Sequence, residues 1–308
     1  MKRNSEVIIG TRGSRLAVVQ AEAVVGDLAK ANPGYHFELD KITTAGDRNR
    51  KASLWDMGRT GVFVKELEEA LQDGRIDMAV HSLKDMPTDT TTGLTIAAVT
   101  QRCDPRDVLV SPRSRLADLP AGARVGTGSP RRAVQLLAQR PDIEVLPLRG
   151  NIDTRLKKIS TMELDGILLA AAAMIRLGME SRITEYLSPD TFVPAAGQGA
   201  IAIEARADDE AMLRMASSVN HDGSQAEVAA ERAFLQTLGG GCREPIAALG
   251  TATGDSLRLM GMVASSTSGE ILRAEASGTV MDPEAIGAQL AHEMARLGAC
   301  ELIGRSAP

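Results

Sequence analysis

The chain has 308 residues, of which 44% are hydrophobic, 24% charged and only 2% aromatic, and its formal net charge is -5. That length supports two or three domains with cores of their own, while an acidic balance with so few aromatic rings argues against a nucleic-acid partner. Met1-Lys2-Arg3-Asn4-Ser5-Glu6 is followed only by Val7-Ile8-Ile9 before a glycine, too short for a signal peptide, and the longest apolar stretch, Ile167 to Ile175, falls far below the ~20 residues of a membrane span; a cytoplasmic protein with no membrane partner is expected. Cys103, Cys242 and Cys300 are odd in number and widely spaced, and His36, His81, His221 and His292 are scattered, a pattern of neither a disulfide framework nor a metal site.

Val7-Ile8-Ile9 reads as a short buried strand. Gly10-Thr11-Arg12-Gly13-Ser14 turns it into a helix with Ala17, Ala21, Val24, Val25 and Leu28 on one face, with Ser14 as N-cap. Taken alone, this turn reads first as a capped helix with solvated arginines, although a helix N-terminus fringed by arginine is also an anion site. His36 to Ile42 is strand-like. Past Gly46-Asp47-Arg48-Asn49-Arg50 and Gly58, the run Arg59-Thr60-Gly61-Val62-Phe63-Val64-Lys65 leads into a helix ending near Gly74. Ile76 to Val80 is a strand, and Ser82-Leu83-Lys84-Asp85-Met86-Pro87 leaves its carboxyl end, where open α/β sheets bind ligands.

Around Asp104-Pro105-Arg106-Asp107 the chain crosses into a second unit, and there the opening pattern returns. Val125-Gly126-Thr127-Gly128-Ser129-Pro130-Arg131-Arg132-Ala133 echoes Ile9 to Ala17, with Pro130 suited to the first helical position. Cations ordinarily favour helix C-termini, so arginines at two N-termini call for an anion between them. Ile143 to Leu148 is a strand leading into Arg149-Gly150-Asn151-Ile152-Asp153-Thr154-Arg155, and Gly166 to Ala170 is another, followed by a helix carrying Arg176. Val193-Pro194-Ala195-Ala196-Gly197-Gln198-Gly199-Ala200 returns the chain to the first sheet through Ile201 to Glu204.

Ser224 and Glu227 have capping-box spacing before a helix with an Ala226, Ala230, Phe234, Leu238 stripe. Gly239 sits where a left-handed cap belongs. Gly240 and Gly241 call for a second reason, such as room beside a residue carrying something bulky, and Cys242 follows them; the alternative is a glycine turn before a small buried cysteine. Three further strands, Ala247 to Thr253, Ser256 to Ala264 and Glu270 to Ala276, and a helix from Asp282 to Leu297 complete a small α+β domain.

The expected fold class is α/β: two hinged periplasmic-binding-protein-like lobes plus a small α+β C-terminal domain. Domain 1 spans 1–103 and 196–218, domain 2 spans 104–195, and domain 3 spans 219–308. Arginine forks at strand ends suit carboxylates and phosphates. No P-loop or dinucleotide fingerprint is present. A polycarboxylate held while one acid performs proton chemistry fits; the competing readings are an anion-binding protein of the same two-lobed shape and a cysteine hydrolase, for which no histidine pairs evidently with Cys242.

His81-Ser82-Leu83-Lys84-Asp85-Met86-Pro87, Gly126 to Arg132, Leu148 to Arg155, Pro194 to Gly199 and Gly240-Gly241-Cys242-Arg243, in this order, resemble the porphobilinogen deaminase (hydroxymethylbilane synthase) family over nearly the whole chain. The resemblance implies a dipyrromethane cofactor joined by a thioether to Cys242, onto which four porphobilinogen units are added with loss of ammonia before hydrolysis releases the linear tetrapyrrole. It implies Asp85 as the catalytic residue. Lys84, Thr127, Ser129, Arg131 and Arg132 would hold the cofactor, and Arg12, Ser14, Arg149, Arg155 and Arg176 the substrate or growing chain. A monomer with no metal is expected. One departure stands out: where the family often has Lys-Gly, this chain has Thr60-Gly61, with Arg59 as the adjacent cation.

Overall fold

The computed structural model describes residues 5–44, 64–240 and 244–305; Arg59, Thr60, Gly61 and Cys242 lie outside them. In chain order the first elements are β1 (Glu6–Arg12), α1 (Arg15–Ala31), β2 (His36–Ile42), α2 (Lys65–Gln72), β3 (Met78–Ser82), a 3-10 turn (Leu83–Asp85) and β4 (Leu94–Val99). Then come β5 (Asp107–Val110), β6 (Arg124–Thr127), α3 (Pro130–Gln139), β7 (Glu144–Pro147), α4 (Ile152–Thr161), β8 (Gly166–Ala170), α5 (Ala171–Arg176) and β9 (Glu185–Tyr186). The last elements are β10 (Ile201–Arg206), α6 (Glu210–Ser217), α7 (Asp222–Thr237), β11 (Ile246–Thr253), β12 (Ser256–Ala264), β13 (Ile271–Thr279), α8 (Pro283–Arg296) and the short α9 (Ala299–Leu302).

Two five-stranded sheets, ordered β2-β1-β3-β10-β4 and β7-β6-β8-β5-β9, accompany a three-stranded sheet, β11-β12-β13. Contacts divide the chain into Met1–Cys103 with Ala200–Gln225, and Asp104–Gly199 with Ala226–Pro308. The large sheets share one plan. A parallel trio (β1 with β2 and β3; β6 with β7 and β8) is extended by an antiparallel strand, β10 beside β3 or β5 beside β8. The repeated turn in the sequence is therefore one motif used twice, and Ile201 to Glu204 does return to the first sheet, between β3 and β4.

The Gly-Thr pair that opens each turn has a packing cause. A Cβ on Gly10 would press on Ile76 Cδ1, and one on Gly126 would lie 2.9 Å from Leu164 Cδ1. At both places the ends of apolar side chains close on the strand backbone, and a larger residue would have to displace them. Helices cover both faces of the first sheet: Ala21, Val24 and Leu28 of α1 with Met215 and Ala216 of α6 on one side, and Leu67, Ala70 and Leu71 of α2 on the other. In the second unit Val134 of α3 and Val193 pack with Ala247, Met260, Met262 and Ala264 of the three-stranded sheet.

The predicted stripe of α7 is real, with Ala226, Ala230, Phe234 and Leu238 all in the C-terminal core. Its predicted capping box is not. The helix starts at Asp222, two residues before Ser224, and the imidazole Nδ1 of His221 accepts from the Ser224 N–H at 3.1 Å. Ser224 Oγ accepts from Arg102 N at 2.9 Å, and Glu227 accepts from Ala252 N at 3.1 Å. Tertiary partners have taken both side chains that local spacing had paired.

Candidate functional site

In the first unit the carboxyl ends of β1 and β3 lie side by side, and the predicted residues on them meet. Ser14 caps α1, its Oγ accepting from Ala17 N at 3.3 Å. Asp85 ends the 3-10 turn that follows β3. The turn is pinned at both ends: Leu83 N donates to Ala200 O at 3.1 Å and Met86 N to Leu83 O at 3.0 Å. Beside it, Ser82 Oγ donates to Gln20 Oε1 on α1 at 2.9 Å. Arg12, Ser14, Gln20, His81, Ser82 and Asp85 line one small cavity of about 50 Å³. Lys84, half-buried, lies in the same turn.

The second unit repeats the device at the carboxyl ends of β6, β7 and β8. Ser129 caps α3, its Oγ accepting from Arg132 N at 3.4 Å, while Thr127 Oγ1 accepts from Ser129 N at 3.2 Å. The loop carrying Arg149 runs alongside, since Leu148 N donates to Thr127 O at 3.1 Å. Arg155 Nε donates to Gly150 O at 2.7 Å, and Arg176 Nη2 to Gly199 O at 2.7 Å. Thr127, Ser129, Arg131, Arg132, Arg149, Arg155 and Arg176 thus belong to one end of one sheet.

The anion demanded by arginines at a helix N-terminus is, for this turn, in the chain itself. Asp107, fully buried at the start of β5, receives Arg131 Nη1 at 2.6 Å on Oδ2 and Arg132 Nη2 at 2.6 Å and Nε at 2.9 Å on Oδ1. Gln198 Nε2 adds a bond to Oδ1 at 2.9 Å and one to Pro105 O at 2.7 Å. Burial alone would raise the Asp107 carboxyl, but the Arg131 and Arg132 charges, with hydrogen bonds from Arg131 and Gln198, hold it well below the usual carboxylate range. Sequence reasoning missed Asp107, which stands there only in the crossing into the second unit; the signal for it is its place directly before the apolar run Val108-Leu109-Val110.

The cluster nevertheless sets two guanidinium charges against one carboxylate. Arg131 is 4% exposed, and its donors to protein acceptors are both on Nη1, to Asp107 and Val193 O, so its Nε and Nη2 have no acceptor among the described residues. A buried guanidinium with donors in reserve fits a carboxylate-bearing ligand.

On the C-terminal side, Gly239 has φ +66°, the left-handed cap expected, and a Cβ on Gly240 would press on the end of the Ile246 side chain. Downstream, Arg305 Nη2 donates to Glu244 Oε1 at 3.0 Å. Among the described residues no group of three or more His, Cys, Asp or Glu side chains could hold a metal ion, and no described helix is long and apolar enough to cross a membrane.

Comparison with known proteins agrees with this arrangement. Residues 7–214 match the family model described as "Porphobilinogen deaminase, dipyromethane cofactor binding domain", and residues 225–296 match the "Porphobilinogen deaminase, C-terminal domain". The chain is 46% identical over 296 residues to a porphobilinogen deaminase of Alkaliphilus metalliredigens, covering 96% of this chain and 94% of that one. It is 47% identical over 302 residues to one from Roseiflexus castenholzii, covering 98% and 99%. Among solved structures it is similar to the periplasmic VFT2 domain of Bordetella pertussis BvgS, at 16% identity and TM-score 0.41 over 70% of this chain and 86% of that one; the sheets described above, not this distant likeness, define the fold. With a cofactor-binding model matched across both large sheets and the C-terminal model across the third, the chain belongs to the porphobilinogen deaminase family.

Proposed function

We propose that the protein, as a cytoplasmic monomer, condenses four porphobilinogen molecules head to tail with loss of ammonia and releases the linear tetrapyrrole by hydrolysis. The observation that carries this reading is the buried Arg131–Arg132–Asp107 cluster, whose spare donors lie at the end of a sheet lined with further arginines. Each pyrrole unit bears an acetate and a propionate, so the growing chain is a polycarboxylate. Bidentate arginine contacts to such groups are charge-assisted, each worth ~1.5 to 3 kcal/mol. The dipyrromethane, bound through Cys242, supplies the pyrrole carbon onto which the first unit is added.

The chain's own residues do the rest. Arg131, Arg132, Lys84, Thr127 and Ser129 hold cofactor carboxylates, while Arg12, Ser14, Arg149, Arg155 and Arg176 hold those of the substrate and product chain. Asp85, in a cavity with Arg12 and Ser14, accepts a hydrogen bond from the substrate pyrrole N–H. Its negative charge stabilises the positive charge that develops as the aminomethyl C–N bond breaks and ammonia departs.

The experiment is direct. The intact mass should exceed that of the polypeptide by two linked pyrrole units, and one ammonia should be released per porphobilinogen consumed. A mass equal to the bare chain together with no ammonia release would remove the reading. Asp85→Asn, which keeps the shape and loses the charge, should slow cofactor-loaded enzyme by roughly 10² or more in single turnover while substrate binding survives. A rate within a few-fold of the parent would leave Asp85 a structural residue only.

A further inference from the structure

Beneath the Asp85 turn lies a second pair of titratable groups that the mechanism so far leaves unused. His81 of β3 and Glu204 of β10 are diagonal neighbours across antiparallel strands, the register placing Ala202 opposite His81 and Glu204 opposite Ala79. His81 Nε2 and Glu204 Oε2 are 3.0 Å apart, with side chains only 3% and 2% exposed. A polar pair this deep is costly unless its geometry is used. Glu68 of α2 faces the pair, its carboxyl raised by burial and then by the Glu204 charge. Asp85 and Arg12 share the cavity that His81 lines.

Two features separate this pair from a purely structural bridge. Among the described residues, Glu204 is the one hydrogen-bond partner of the His81 ring, which leaves Nδ1 without one. And His81, although 5% exposed, is one of the residues that line the cavity with Asp85. With Glu204 ionised, Nε2 carries the ring proton and Nδ1 holds the lone pair, the arrangement in which a carboxylate fixes the tautomer of a basic imidazole.

We propose that His81, oriented by Glu204, is the proton acceptor of the Asp85 cavity. This rests on the reaction proposed above. In each condensation the substrate's C–N bond breaks with its electron pair leaving on ammonia, and a C–C bond forms from the terminal pyrrole of the growing chain. The hydrogen on that pyrrole carbon must then leave as a proton, its bonding pair restoring the aromatic ring. Asp85 serves the first event best while it stays charged, so a separate acceptor frees it from taking the proton. His81 Nδ1 takes it, the resulting imidazolium is balanced by Glu204, and the proton passes on to the departing ammonia.

The test uses cofactor-loaded enzyme and porphobilinogen deuterated at its free α-carbon, the atom that loses the hydrogen in every addition after the first. His81→Gln keeps an amide N–H for Glu204 and removes the base. It should slow single-turnover addition by ~10² or more, leave substrate affinity within a few-fold, and bring out a primary isotope effect larger than the parent's. Nitrogen NMR of the labelled imidazole, without substrate, should show the Nε2–H tautomer in the parent and its loss in Glu204→Gln. The proposal is overturned by a His81→Gln enzyme with parental rate and isotope effect, or by an Nδ1–H tautomer in the parent. Should His81→Gln not fold, a Glu204→Gln enzyme indistinguishable from the parent in rate and tautomer overturns it as well. Absence of ammonia release from the parent would instead sink the reaction itself, and would leave the tautomer measurement standing.

Discussion

Cys242→Ser is expected to give a folded chain whose intact mass is that of the polypeptide alone and which has no activity. A serine hydroxyl is a far weaker nucleophile than a thiolate, so the thioether cannot be replaced by an ether at any useful rate. The other cysteines serve as controls, for structural reasons. Cys300 is fully buried within the C-terminal core, where burial and then Glu301 push its thiol up, so it is neither accessible nor reactive. Cys103 is half-buried at the end of the first unit, beside Asp104, whose carboxylate is engaged by Arg106 Nη2 at 2.6 Å. Cys103→Ser and Cys300→Ala should both retain the added mass. An adduct that persisted in Cys242→Ser, or vanished in Cys103→Ser, would move the attachment elsewhere.

Asp107→Asn should cost ~3 to 5 kcal/mol of folding stability, the usual penalty for stripping one partner from a buried ion pair, against the ~5 to 15 kcal/mol that holds a typical protein folded. It leaves two guanidinium groups, 5% and 7% exposed, with no carboxylate between them. The pH dependence gives a second check. Asp107 is held below the usual carboxylate range in the folded state, so its contribution is fully present above the unfolded value of ~3.9 and fades as pH falls through the lower folded value. The stability gap between parent and Asp107→Asn in urea melts should therefore be widest at neutral pH and narrow on acidification below ~4. A gap under 1 kcal/mol at neutral pH, or one that widened in acid, would refute this account of the cluster.

Much of the fold was legible because it is written locally. Apolar spacing in α7 predicted a stripe that is indeed buried, and the recurrence of Gly-Thr before a serine-capped helix predicted two like units because strand, turn and N-cap are all carried by one short segment in each. The candidate site was legible where residues follow directly on a strand end, as Asp85, Ser14 and Ser129 do. What stayed hidden depends on partners remote in sequence. His81 and Glu204 are 123 positions apart, and Gln198 and Asp107 are 91 apart. Ser224 and Glu227 misled for the same reason: their spacing is correct for a cap, but competing acceptor duties toward Arg102 and Ala252 are invisible to spacing.

The place of β10 has a consequence for how the protein is made. β10 fills the gap between β3 and β4, yet it leaves the ribosome only after the whole of β5 to β9 has been synthesised. At about 5–20 residues per second, the stretch of roughly a hundred residues separating β4 from β10 delays that insertion by about 5–20 s. During this interval the nascent first sheet has β3 and β4 without the strand that joins them, exposing the backbone edges on which wrong pairing begins. The second sheet suffers no such delay, since β5 to β9 emerge as one block. Synthesis therefore gives this chain a vulnerable window confined to the half that carries Asp85, and the rate of translation between Val99 and Ile201 becomes a determinant of its yield.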